Sequence, residues 1–203
     1  NEAYIYYGNT TSQSRSEDIS TYTSLSPSGG AASLSSEEKG TAANVYYRFN
    51  ELADNRCTGG TNDVCDSNGS QVDGAISGGA TWRGSSFCVS EGCLLFDGSD
   101  DVVTVSQNSR INLSDQLAGA FTISAWIRPN GAGEGSTGQI FQKGTNNFFR
   151  VGNLSSGVLD LVASVDLATS DATLTATGAI PNNQWSFVSV SYTDDADDEI
   201  SIW

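Results

Sequence analysis

The chain has 203 residues, 37% of them hydrophobic, no His, and a formal charge of −15 from nine basic and 24 acidic side chains. That balance argues against a nucleic-acid partner, which needs a basic footprint, and disfavours anionic membrane surfaces. The missing imidazole rules out a Ser-His-Asp triad and removes the commonest metal ligand, leaving carboxylates and Cys as the chemistry-bearing groups.

"AYIYY" at 3–7 reads as a strand from its aromatic and β-branched content, closed by "GN". Residues 10–40 are Ser-, Thr- and Gly-rich without apolar periodicity and read as a linker. Ser35 and Glu38 have capping-box spacing there, which allows one short helical turn. From Thr41 the texture changes, and "ANVYYRFNE" reads as strand before a loop-rich stretch at 53–79. Short runs then follow at regular spacing with turn residues between them. They are "ATWRG", "CLLFDG", "DVVTVS", "AFTISAWIRPN", "GQIFQKG", "NFFRVGN", "GVLDLVASVD", "ATLTATG", "QWSFVSVSYTDD" and "DEISIW". No long stretch has a period of 3.6, and the pattern predicts an all-β antiparallel β-sandwich.

Within "AFTISAWIRP" the two-residue period puts Phe121, Ile123, Ala125 and Ile127 on one face, with Thr122, Ser124, Trp126 and Arg128 on the other. Val188, Val190 and Tyr192 likewise oppose Trp185 and Phe187. Bulk on both faces predicts central strands covered on both sides, with the Trp residues packed in the core.

Four Cys allow three connectivities. The local pairs Cys57–Cys65 and Cys88–Cys93 are favoured, since each closes a Gly-containing loop that brings the Cβ atoms within reach. Paired Cys without His favour disulfides over zinc, and hence an oxidising, extracellular or cell-surface setting. Asn-X-Ser/Thr sequons stand at Asn9, Asn68, Asn112 and Asn153 and matter only in a host that glycosylates Asn.

"FDGSDD" crowds Asp97, Asp100 and Asp101 into one turn. Calcium takes six to eight oxygens, so a site here would borrow ligands, with Asp66 and Asn68 or Asn146 and Asn147 as candidates. Asp and Gly are also favoured in turns for their backbone chemistry alone, and both readings stand. A second acidic cluster, Asp194–Glu199, reads as a solvated hairpin loop. A glycosidase needs two carboxylates across the sugar. Asp198 and Glu199 are adjacent and point to opposite faces, and no strand carries alternating carboxylates, so no enzyme activity is predicted.

The order "NVYYRFNE", "CDSNGS", "GATWRG", "CLLFDGSDDVVTV", "FTISAWIRPN", "NNQWSFVSVSYTDD", "EISIW" resembles the laminin-G-like, concanavalin A-like jelly rolls over Thr41–Trp203. The opening residues separately resemble the closing strand of a β domain that precedes such jelly rolls in microbial surface proteins. The resemblance implies residues 1–9 as the end of one domain, 10–40 as linker and 41–203 as a jelly roll lacking its last strands. It implies two packed curved sheets and an extracellular carbohydrate-binding or adhesion module, with calcium as cofactor and Trp82 or Phe148 as candidate sugar platforms. A glycan or extracellular protein would be the partner, and open strand edges allow pairing with other copies of the chain. The alternative is a structural spacer or filament subunit without a small ligand. Membrane insertion is not expected.

Overall fold

The computed structural model describes residues 45–69, 71–106, 108, 111, 120–166, 171–193 and 199–203, all within one unit spanning Asn44–Trp203. The expected closing strand at 1–9, the linker at 10–40, Asn9, Asn112 and Asp194–Asp198 lie outside the described residues. The chain order is β1 (Gly74–Ser77), β2 (Thr81–Gly84), β3 (Gly92–Leu95), β4 (Val102–Val105), β5 (Phe121–Ile127) and β6 (Thr137–Lys143). It continues with β7 (Asn147–Ser155), β8 (Val158–Val165), β9 (Ala172–Pro181), β10 (Ser186–Thr193) and β11 (Glu199–Ile202).

Every ladder is antiparallel. A four-stranded sheet β6-β7-β8-β9 faces a three-stranded sheet β11-β10-β5, while β1 pairs with β4 and β2 with β3. The described chain is all-β, and its two larger sheets form the expected antiparallel β-sandwich.

Alternation selects the core. Phe149 and Val151 on β7, Leu159, Leu161 and Ala163 on β8, and Ile180 on β9 pack against Val188 and Val190 on β10. Ile123, Ala125 and Ile127 on β5 and Ile200 and Ile202 on β11 complete the contact. Burying each large aliphatic or aromatic side chain contributes roughly 1.5–3 kcal/mol, which is what holds the two sheets face to face. The β7–β8 hairpin turns through Ser156 and Gly157, with φ 53° and 83°. Two successive positive-φ residues give the turn a twist that matches the flanking strands.

Three register shifts change which side chains meet. The β6–β7 register slips between Gln139 and Phe141, the β7–β8 register between Gly152 and Ser155, and the β8–β9 register between Leu159 and Leu161. In β6 the extra residue is Ile140, which packs on the core beside Phe141.

Two expectations are corrected. The described part of "ANVYYRFNE", Val45–Glu51, is not a strand: Tyr47 makes a single bridge to Asp66. Phe49 and Leu52 adopt φ of 54° and 57°, which breaks an extended run, and the Tyr47 hydroxyl donates to the Val72 carbonyl instead. Nor do the Trp residues fill the core. Trp126 is paired with Phe187 across β5 and β10, their ring centroids 5.5 Å apart, on the outer face of the three-stranded sheet. Both residues keep more than a third of their surface in solvent while each ring covers part of the other. Trp185 donates its indole N–H to the Phe87 carbonyl at 3.1 Å, tying the β9–β10 loop to the segment ahead of β3.

Residues 45–106 have little regular structure and a small core of their own, with Cys57, Val64, Val72 and Ala80 buried. Cys57 is bonded to Cys65 and Cys88 to Cys93. Carboxylates replace a missing ladder. Asp63 accepts the Asn55 and Ile76 N–H groups at 2.8 and 2.7 Å, and Glu51 accepts Cys65 N–H at 3.0 Å. Backbone donors that no strand satisfies must find such partners.

Candidate functional site

The turn between β3 and β4 is built by its own aspartates. Asp97 Oδ1 accepts the Ser99 N–H at 2.8 Å, an Asx turn, and Asp101 Oδ2 accepts the Asp97 N–H at 2.6 Å. Gly98 supplies φ +84° between them. These bonds close the corner and bring one carboxylate oxygen each from Asp97, Asp100 and Asp101 within 4.8 Å of one another.

A second segment seals one side. Gly78 and Gly79, between β1 and β2, lie against the turn because β1 pairs with β4 so that Ser77 meets Val102. A Cβ on Gly78 would fall 2.2 Å from the Asp100 carbonyl oxygen, and one on Gly79 would lie 3.7 Å from Asp101 Oδ1. That Asp101 oxygen is buried and has no hydrogen-bond partner among the described residues. Carboxylate oxygens so buried are ordinarily satisfied, and one left bare marks a place where a cation would complete the chemistry. The spacing fits: calcium–oxygen distances of about 2.3–2.6 Å put opposed ligands about 4.6–5.2 Å apart. The residues present therefore suit a hard divalent cation held by oxygen donors.

The candidate additional ligands are occupied with other work. Asp66 is buried, and its Oδ1 accepts the N–H groups of Tyr46 and Asn68, each at 3.0 Å. Burial, together with the charges of Asp66 and Asp73, raises the phenol of Tyr47 above its ordinary range and keeps it a hydrogen-bond donor. Asn146 Nδ2 donates to Asp171 at 3.3 Å, and Asn147 Oδ1 accepts the Asp166 N–H at 3.0 Å. Of the candidate sugar platforms, Trp82 is half-buried and donates its indole N–H to Asp54 at 2.8 Å. Phe148 is half-buried and lies beneath the Arg150 guanidinium, 4.1 Å from its ring centroid.

Gly78 and Gly79 are site residues that sequence reasoning leaves in a loop. The Gly-Gly pair closing a short strand was their available signal, since such pairs mark close backbone approach.

The sequence profile of the laminin G family, described as the concanavalin A-like lectin/glucanases superfamily, matches residues 97–202. That span begins at the first aspartate of the corner and covers just over half of the chain. No curated protein and no solved structure matches the chain.

Proposed function

The chain belongs to the concanavalin A-like lectin/glucanases superfamily, and from that premise we propose that it is an extracellular, calcium-dependent carbohydrate-binding or adhesion module. The observation that carries the metal is the Asp97, Asp100 and Asp101 corner with its sealed, unpaired Asp101 oxygen. Calcium there would tie the β3–β4 turn to the Gly78–Gly79 turn and present its remaining coordination positions to sugar hydroxyls or to a partner's carbonyls. Two disulfides fit an oxidising compartment. No helix among the described residues is long and apolar enough to cross a membrane.

Binding rather than catalysis is favoured by where the carboxylates lie. Among the described strands the acidic residues are Asp160 and Glu199, which stand on different sheets. Asp160 is buried and hydrogen-bonded, so the two do not make an acid–base pair across a sugar.

Calorimetric titration of calcium into the 203-residue chain tests the reading. A dissociation constant on the order of 10⁻⁴–10⁻³ M is expected, as for extracellular modules, and Asp100→Ala abolishes it. A glycan array with calcium and with chelator then reads the carbohydrate part. Folded protein that takes up no calcium and retains no glycan in either condition would leave a structural spacer as the better account.

A further inference from the structure

The face of the four-stranded sheet turned away from the core carries two complete rows of side chains. One runs Gln142, Phe148, Ser164, Thr173 across β6 to β9, and its neighbour runs Gln139, Arg150, Val162, Thr175. Strict alternation would not put both Gln139 and Gln142 on this face; the Ile140 bulge does. Arg150 stands near the centre. Its guanidinium is stacked over the Phe148 ring, and among the described residues no carboxylate is paired with it. In a chain of charge −15 this sheet has one acidic residue, Asp160, and both of its oxygens are engaged by Asn153 and Gly178. Ser164 is buried and hydrogen-bonded to Thr173, so the face offers the Gln139 and Gln142 amides and the Thr173 and Thr175 hydroxyls, with Phe148 and Val162 between them, around one half-buried cation that no described carboxylate neutralises.

We infer that this face is a subsite for an acidic sugar, a uronate within a polysaccharide, with Arg150 as the residue that reads the carboxylate; the inference rests on the carbohydrate-binding reading. The charge complementarity is specific. A guanidinium offers a planar fork that matches a carboxylate with two parallel hydrogen bonds. Stacking on Phe148 fixes the plane of that fork while leaving its N–H edge free, so Phe148 is a positioning residue. Gln139 stands beside the fork on the adjacent strand, about 4.8 Å along the row, and Thr175 stands two strands away beyond Val162, about 9.6 Å, so the amide suits a hydroxyl of the same sugar and the Thr175 hydroxyl one of its neighbour. A single guanidinium among neutral polar groups matches one carboxylate better than the dense charge of a polysulfated chain.

The test uses the 203-residue chain with trimers of galacturonate, glucuronate and mannuronate, and neutral galactotriose as control. Titrations are run in chelator so that calcium plays no part. Saturable binding of at least one uronate trimer, with galactotriose binding roughly tenfold or more weaker, is expected. Arg150→Gln should lower uronate affinity at least about tenfold and flatten its salt dependence, and Arg150→Lys should restore only part of it, since an ammonium lacks the fork. Phe148→Leu should weaken binding while leaving the salt dependence in place. Absence of binding to all three uronates by folded protein overturns the inference, as does uronate affinity unchanged in Arg150→Gln. Asp100→Ala separates the two sites. Uronate binding that survives it upholds this subsite even where the calcium corner fails. Calcium-dependent binding of neutral glycans alone leaves the corner standing and sinks the subsite.

Discussion

One carboxylate oxygen of Asp160, on β8, accepts the Gly178 N–H of β9 at 2.8 Å. The other oxygen accepts the Asn153 side-chain amide of β7 at 2.8 Å. Asn153 and Gly178 both have positive φ, 50° and 60°, and both sit where a neighbouring ladder slips. A single buried acid therefore holds two irregular strand segments from the strand between them, where side-chain bonds stand in for missing backbone ones.

Those bonds hold the Asp160 carboxyl below the usual carboxylate range, the Asn153 amide first and the Gly178 N–H second, against a smaller opposing effect of burial. A folded-state value below the unfolded one means that the charged acid adds stability at neutral pH. The contribution is complete above the unfolded value near 4 and is lost as pH falls through the folded value. Asp160→Asn should be less stable at pH 7, with the gap to the parent narrowing below about pH 4. Thermal melts of both proteins from pH 7 downward check this, and a constant gap would count against it.

Gly78→Ala should destabilise the β1–β2 turn more than Gly59→Ala destabilises its loop. Both glycines have positive φ, +87° and +98°, so each substitution carries a backbone cost of about 1–2 kcal/mol. Only at Gly78 does the added Cβ collide with backbone, while Gly59 has nothing within 4 Å. Urea unfolding of the pair isolates the collision. Calcium affinity should fall in the Gly78 variant alone.

Replacing Cys57 and Cys65 together by Ser should cost about 2.5 kcal/mol, and replacing Cys88 and Cys93 about 2 kcal/mol, from the entropy of closing loops of 8 and 5 residues. The first pair should suffer beyond that figure, since Cys57 is itself buried. Guanidinium denaturation of each double variant measures both.

Leu161→Ala removes a wholly buried side chain from the centre of β8 and should cost about 2–5 kcal/mol. Tyr47→Phe, which leaves the Val72 carbonyl without its donor, should cost about 1–3 kcal/mol. The two sites lie in different cores, so the double variant should show nearly additive losses by equilibrium unfolding.

The strands from β4 onward were legible because one face of each is apolar and the other polar. Phe121, Ile123, Ala125 and Ile127 do point to the core, and Val188, Val190 and Tyr192 are buried as the alternation requires. The segment around Tyr46–Glu51 misled for the opposite reason. Its aromatic and β-branched residues have strand propensity, but the local structure is set by hydrogen bonds with Asp66, Val72 and Cys65, which no propensity encodes. The Trp126–Phe187 pair shows the same limit, since bulk on a face does not reveal whether another layer covers it. At the corner, the three aspartates are visible in "FDGSDD", whereas the Gly78–Gly79 seal depends on the β1–β4 pairing, a contact between segments some twenty residues apart. The Arg150 face was hidden by one extra residue in β6.

That extra residue has an evolutionary reading. Deleting Ile140 would leave Gln139, Phe141 and Gln142 as consecutive positions of an unbroken ladder, with both amides still on one face and Phe141 still on the core. What would be lost is the Ile140 packing on the core. The length of β6 is therefore free to vary by this one residue, as a turn is, without disturbing the surface beside Arg150. A relative one residue shorter at this point is expected to keep the amide row and to compensate in the core.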